Sequence, residues 1–349
     1  MVVAEDIIRI GNYYYFAARG IYAICRLKAD SDVIETVYSG SSEELCNHRM
    51  YGRVFEYKNQ LYFPPLNAKS ILVFDLLTEK TDFIDIGSIE GCVGDYFLAG
   101  LIVGNALYLV GCQYPAIVKC DLMTKEVTYY EEPYKELIKY HSQDGDCYFR
   151  ADVAFVDNCI YAASCLCNRV LEFSTIDNSY RWHEVGNEDD GFSGITWDGN
   201  KFWLSSRHKA KVTIWNPIEN SAHEIEIPIN ETDELNGSCS FLGAVFDGVN
   251  IILPGMNLRK TVVFKADDAN DMYCLGKRFT FYTLRENYIY GQDENNDLLI
   301  YEKTDLQNPK RIIRTKNDNE ILINTIKDGG TVVNEGFCGL GLETFIKSL

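Results

Sequence analysis

The chain has 349 residues, 46% of them hydrophobic and 13% aromatic, and carries a formal net charge of −18. That apolar and aromatic content excludes a disordered chain. The acidic balance excludes general binding to nucleic-acid phosphates or anionic lipid, which relies on clustered Lys and Arg.

The opening residues Met1 to Arg9 carry acids where a secretory leader carries bases. No stretch approaches the roughly 20 apolar residues of a membrane helix. The expected setting is therefore cytoplasmic, with neither a membrane nor a nucleic acid as partner.

Taken in order, the chain repeats one unit. Tight turns at Asn12, Asn59, Asn105, Asn158, Asn200, Val249 and Asn287 return at intervals of 38 to 53 residues, a period the size of a propeller blade. Apolar segments flank each turn, and Asn and Gly tolerate the positive φ that a short hairpin loop needs. Three residues after each turn stands a bulky side chain: Tyr15, Tyr62, Tyr108, Tyr161, Trp203, Ile252 and Tyr290. Eight or nine residues before stand Tyr51, Phe97, Phe149, Phe192, Phe241 and Phe279. Small residues come after them at Gly52, Ala99, Gly100, Gly194 and Gly243, as an innermost strand near a crowded axis requires.

Third strands are predicted over 22–27, 71–76, 117–122, 169–174, 212–216, 261–265 and 297–301 from their β-formers. The fourth strands, such as Thr81 to Ile86 and Arg181 to Val185, are more polar, as edge strands are. The fold class implied is all-β, a single β-propeller domain over 1–349 built of four-stranded blades. Seven blades are expected, or six if the opening unit, which has Ala4 in place of the inner aromatic, forms none. Residues 317–349 leave the pattern, and Leu342 to Leu349 has the spacing of a short amphipathic helix. This segment is expected to be a C-terminal covering tail.

The segments Val73 to Lys80 and Val118 to Lys125 hold Asp-x-x-Thr turns, and these resemble the turn between third and fourth strands of kelch-type propellers. The chain departs from that family in lacking a Gly-Gly doublet after the second strand. It also lacks the Gly-His and Trp-Asp marks of WD propellers. The resemblance implies a divergent kelch-like fold and assigns no site residue.

Twelve cysteines are scattered along the chain, several inside predicted strands where a thiol acts as a small buried hydrophobe. Cys165 and Cys167 are the closest pair, and zinc sites usually show a second such knuckle. No metal and no cofactor are therefore expected.

In a propeller the loops from second to third strands and from fourth to first strands open at one end, the default place for a site. Those loops carry cations in an acidic protein. Arg49, Arg53, Arg150, Arg207, His208 and Arg259 are the ligand-binding candidates, since Arg offers bidentate donors to a carboxylate or phosphate. The alternative is that these side chains pair with loop acids such as Glu43, Glu44, Asp144 and Asp146. Arg53, Arg150 and Asp152 stand out because charge within an inner strand needs a partner or water.

The function expected is a non-catalytic binding platform for a protein, a peptide or an anionic small ligand. A lyase or hydrolase is the competing class, with Asp152 and His141 as its catalytic candidates.

Overall fold

The computed structural model of the chain describes residues 3–19, 22–39, 49–87, 94–140, 146–187, 191–230, 233, 239–293, 295 and 297–314. The expected tail over 317–349 lies outside them, as does His141.

Seven antiparallel sheets succeed one another along the chain, each an up-and-down meander in sequence order, and the fold is a seven-bladed β-propeller. The blades span 3–39, 55–85, 97–130, 154–184, 192–226, 245–275 and 281–313. Blade 1 adds a short strand, Val3–Ala4, pairing Ala4 with Ala18. The opening unit, weak in sequence, is thus a full blade.

Local chemistry sets the turns. Lys58 and Asn59 both take positive φ, as do Asp157 and Asn158, the conformation of a two-residue hairpin turn matched to strand twist. Asn12 and Asn287 occupy equivalent turns between first and second strands of blades 1 and 7. At the other hairpins, Asp75 Oδ1 accepts from the N–H groups of Leu77 and Thr78, and Asp121 Oδ1 from those of Met123 and Thr124. Asn216 does the same for Ile218 and Glu219. The Asp-x-x-Thr motif is one version of a side-chain-capped turn.

The chain falls into two compact units, residues 1–96 with 285–349 and residues 97–284. In each, the bulky second-strand residue packs on the penultimate third-strand residue of the next blade. In the first unit Tyr15 meets Phe74 with ring centroids 6.0 Å apart. In the second, Tyr108 meets Phe173, Tyr161 meets Trp215 and Trp203 meets Phe264, at 6.4, 6.4 and 5.7 Å. Such ring pairs contribute about 0.5–1.5 kcal/mol each beyond area burial.

The inner-strand aromatics are buried as expected, but four precede the regular strand, Phe279 lying two residues ahead of Phe281–Arg285. Tyr51, Phe149 and Phe241 form single bridges to Pro65, Ser164 and Gly255. Arg53, Arg150 and Asp152 therefore lie on linking segments ahead of Phe55–Tyr57 and Ala154–Val156, rather than inside an inner strand.

Among the described residues one helix interrupts the pattern, Glu132–Leu137, with a 3-10 turn at Ile138–Tyr140. Pro133 suits its first turn, and Pro133, Tyr134 and Leu137 are buried. Tyr134 Oη accepts from Gly111 N–H at 2.8 Å and donates to Gly111 O at 3.2 Å. Burial pushes the Tyr134 pKa well up, so the phenol remains a donor. A Cβ on Gly111 would lie 1.7 Å from Tyr114 O, so the loop it opens requires glycine.

Candidate functional site

The loops of residues 97–284 are stitched by backbone hydrogen bonds running from blade to blade. Tyr148 N–H donates to Cys112 O at 2.7 Å, and Cys165 N–H donates to Tyr148 O at 2.9 Å. Phe192 N–H then donates to Ser164 O, Arg207 N–H to Gly191 O, Ser240 N–H to Arg207 O and Met256 N–H to Ser240 O, all within 2.9 Å. Gly191 is needed for this approach, because a Cβ there would lie 2.1 Å from Cys165 O.

Arg150 and Arg207 meet within this stitched cluster. Phe149 is buried in the core between blades 3 and 4, and its neighbour Arg150 is half-buried. Burial works against the charge on Arg150. Coulombic attraction from Cys239, Cys165, Cys147 and Cys112 in their thiolate form more than offsets that effect, so its pKa stands above the ordinary arginine value.

Arg207 Nη1 donates to Cys165 O at 3.0 Å. Burial raises the pKa of Cys165 despite Arg150 and Arg207 beside it. Cys239 Sγ contacts Met256 Sδ at 3.4 Å. The Nε atoms of Arg150 and Arg207 are both buried, with no hydrogen-bond partner among the described residues, and no carboxylate among those residues pairs with either side chain.

The other sequence candidates are disposed differently. Arg49, in the first unit, is ion-paired with Glu5 at 3.1 Å and Asp95 at 2.6 Å, and Arg19 joins the same Glu5 at 2.8 Å. Of the loop acids named from the sequence, Glu43, Glu44 and Asp144 lie outside the described residues. Arg53 is half-buried in the same unit. In the second unit His208 and Arg259 are exposed, and Arg259 N–H donates to Asp233 Oδ1 at 3.0 Å. Lys260 is buried against Asp233 Oδ2 at 2.8 Å.

Asp152 Oδ2 accepts from Ala244 N–H at 2.9 Å, and a Cβ on Gly243 would lie 1.8 Å from that oxygen. A Cβ on Gly194 would in turn lie 2.6 Å from Gly243 Cα. The glycines of blades 5 and 6 thus let the inner segments close on Asp152. The carboxylate has a tying task there, which accounts for charge so near the inner strands.

Sequence reasoning missed the thiols. Cys112, Cys147, Cys165 and Cys239 lie on loops at one end of the blades, and that placement was the available signal. The nine described cysteines are all thiols, outside any disulfide. Among the described residues no group of three or more His, Cys, Asp or Glu side chains is arranged to hold a metal ion. No described helix is long and apolar enough to cross a membrane.

No protein-family model and no curated protein matches the sequence. Solved structures do match. Virginiamycin B lyase from Staphylococcus aureus aligns with a TM-score of 0.64 at 10% identity, covering 85% of this chain and 93% of its own. Hydrazine synthase from Kuenenia stuttgartiensis gives 0.60 at 12%, covering 87% and 96%. BamB from Moraxella catarrhalis gives 0.57 at 13%, covering 86% and 85%. At these identities the likeness shows a shared propeller fold and nothing more.

Proposed function

We propose that this chain is a binding protein whose loop end at blades 3–6 takes an anionic group, a carboxylate or phosphate on a peptide, a protein or a small ligand. Arg150 and Arg207 are the donors. The observation that carries this is the pair of buried Nε atoms without a partner among the described residues. A buried donor left unpaired costs about 1–3 kcal/mol, and a bound oxyanion would recover that cost through charge-assisted hydrogen bonds. Arg49 makes the contrast, since Glu5 and Asp95 already occupy it.

Titration calorimetry with citrate, inorganic phosphate and an acidic peptide tests the proposal. At least one should bind, and binding should weaken as salt rises, because exposed electrostatic attraction is screened over about 8 Å at physiological ionic strength. Arg150→Ala and Arg207→Ala should each weaken binding about tenfold or more, the worth of a charged hydrogen bond. No binding by any probe, or equal binding by parent and both variants, would overturn the proposal. Turnover of a small substrate that Asp152→Asn abolishes would instead favour an enzyme.

A further inference from the structure

The loop of blade 6 is built like that of blade 2. Tyr51 bridges Pro65 in one, and Phe241 bridges Gly255 in the other. Met50 O accepts from the N–H groups of Leu66 and Ala68, and Ser240 O from those of Met256 and Leu258. Ser240 and Asn257 therefore stand where blade 2 has Met50 and Asn67. In blade 2 the amide is used within the loop, since Asn67 Nδ2 donates to Arg49 O at 2.6 Å. In blade 6 Asn257 Nδ2 is buried with no hydrogen-bond partner among the described residues, and so is the hydroxyl of Ser240, a residue wholly shielded from solvent.

We propose that the ligand of this loop end carries a neutral acceptor oxygen beside its anionic group, an amide carbonyl or a hydroxyl, and that Ser240 and Asn257 donate to it. This rests on the anion-binding reading above and narrows the class of ligand. Backbone bonds set the two residues beside the arginine: Ser240 N–H donates to Arg207 O at 2.6 Å, and Asn257 N–H donates to Cys239 O at 3.2 Å. Arg207 Nε is itself a buried donor without a partner among the described residues.

Buried polar groups are nearly always paired, yet two neutral donors and a guanidinium are left unpaired on adjoining loops. The guanidinium matches a carboxylate or phosphate. A hydroxyl and an amide are donors of ordinary strength, matched to an uncharged oxygen. A Cβ on Gly255 would lie 2.1 Å from Leu258 O, so residues 255–258 close tightly on themselves. Side chains held on such a loop are placed before the ligand arrives, which lowers the cost of binding.

Titration calorimetry compares matched probes on the folded protein: succinate with malate, which adds a hydroxyl, and pentanoate with N-acetylglycine, which adds an amide at the same chain length. Malate should bind more tightly than succinate, or N-acetylglycine more tightly than pentanoate, by about fivefold or more, the effect of one hydrogen bond to a buried donor. Ser240→Ala and Asn257→Leu should each reduce that ratio and leave the affinity for the apolar member of the pair unchanged. Without ligand, Ser240→Ala should unfold at no lower urea concentration than the parent, because it removes an unpaired buried hydroxyl. A lowered midpoint would mark a hydroxyl that supports the fold and would overturn the role of Ser240.

Equal affinity within both pairs, or a ratio that neither variant changes, overturns the proposal, and ordered water alone then fills the two donors. If the carboxylates bind with flat ratios, only this proposal falls and the anion site stands. If none of the four binds, this proposal falls, and if citrate, phosphate and the acidic peptide fail as well, the anion site falls with it.

Discussion

In the first unit, Asp6 is buried and bonds through its two carboxylate oxygens to the N–H groups of Ile7, at 2.8 Å, and Val54, at 3.1 Å. Arg285 Nη2 pairs with Asp6 and donates to Val54 O at 2.7 Å, while its Nε donates to Ile7 O at 2.7 Å. One guanidinium thus ties the start of the chain, blade 2 and blade 7.

Replacing Arg285 with Met keeps much of the apolar stem and removes the charge. Breaking a buried pair by deleting one partner costs about 3–5 kcal/mol. The Asp6 side chain is 2% exposed but that of Arg285 is 25% exposed, so water relieves part of the loss and the lower end, about 3 kcal/mol, is expected. All four tryptophans lie within 97–284, so their fluorescence would report the wrong unit. Urea unfolding monitored by far-UV circular dichroism, with hydrogen exchange at the Ile7 and Val54 amides, is the suitable assay. Arg285→Met should shift the unfolding midpoint down and shorten protection of both amides. Unchanged midpoint and protection would refute the claim that this buried pair holds the three segments.

Two further outcomes are expected. Gly191→Ala should destabilise the protein by about 1–3 kcal/mol, the usual cost of forcing extra volume into a packed site, and weaken citrate or phosphate binding by displacing Cys165 from Arg207; calorimetry and urea melts read both. Lys260→Met concerns pH. Burial alone would raise the Asp233 pKa, but the N–H groups of Asn230 and Arg259, together with Lys260, hold it below the ordinary value. A depressed folded pKa gives stability that is present above the unfolded value and lost as pH falls through the folded one, so the variant should lose stability at a higher pH than the parent in acid melts.

Sequence alone determined the blade register. Asn12, Asn59, Asn158 and Asn287 mark turns whose chemistry is local, because positive φ and side-chain caps depend on a few adjacent residues. The bulky residue at the third position after each turn was equally legible, since the strand period fixes which face it takes.

The helix at Glu132–Leu137 was not legible. Its six residues are too few to show a helical period, and it is held by the tertiary bond from Tyr134 to Gly111. The sequence named Arg150 and Arg207 as cations of one end and singled out Arg150, but could not separate Arg207 from Arg49. That distinction depends on Glu5 and Asp95 reaching Arg49 from distant segments, while the buried Nε atoms of Arg150 and Arg207 have no hydrogen-bond partner among the described residues. Turn chemistry acts between neighbours in the chain, whereas burial and charge pairing act between neighbours in space, and only the folded chain decides who those are.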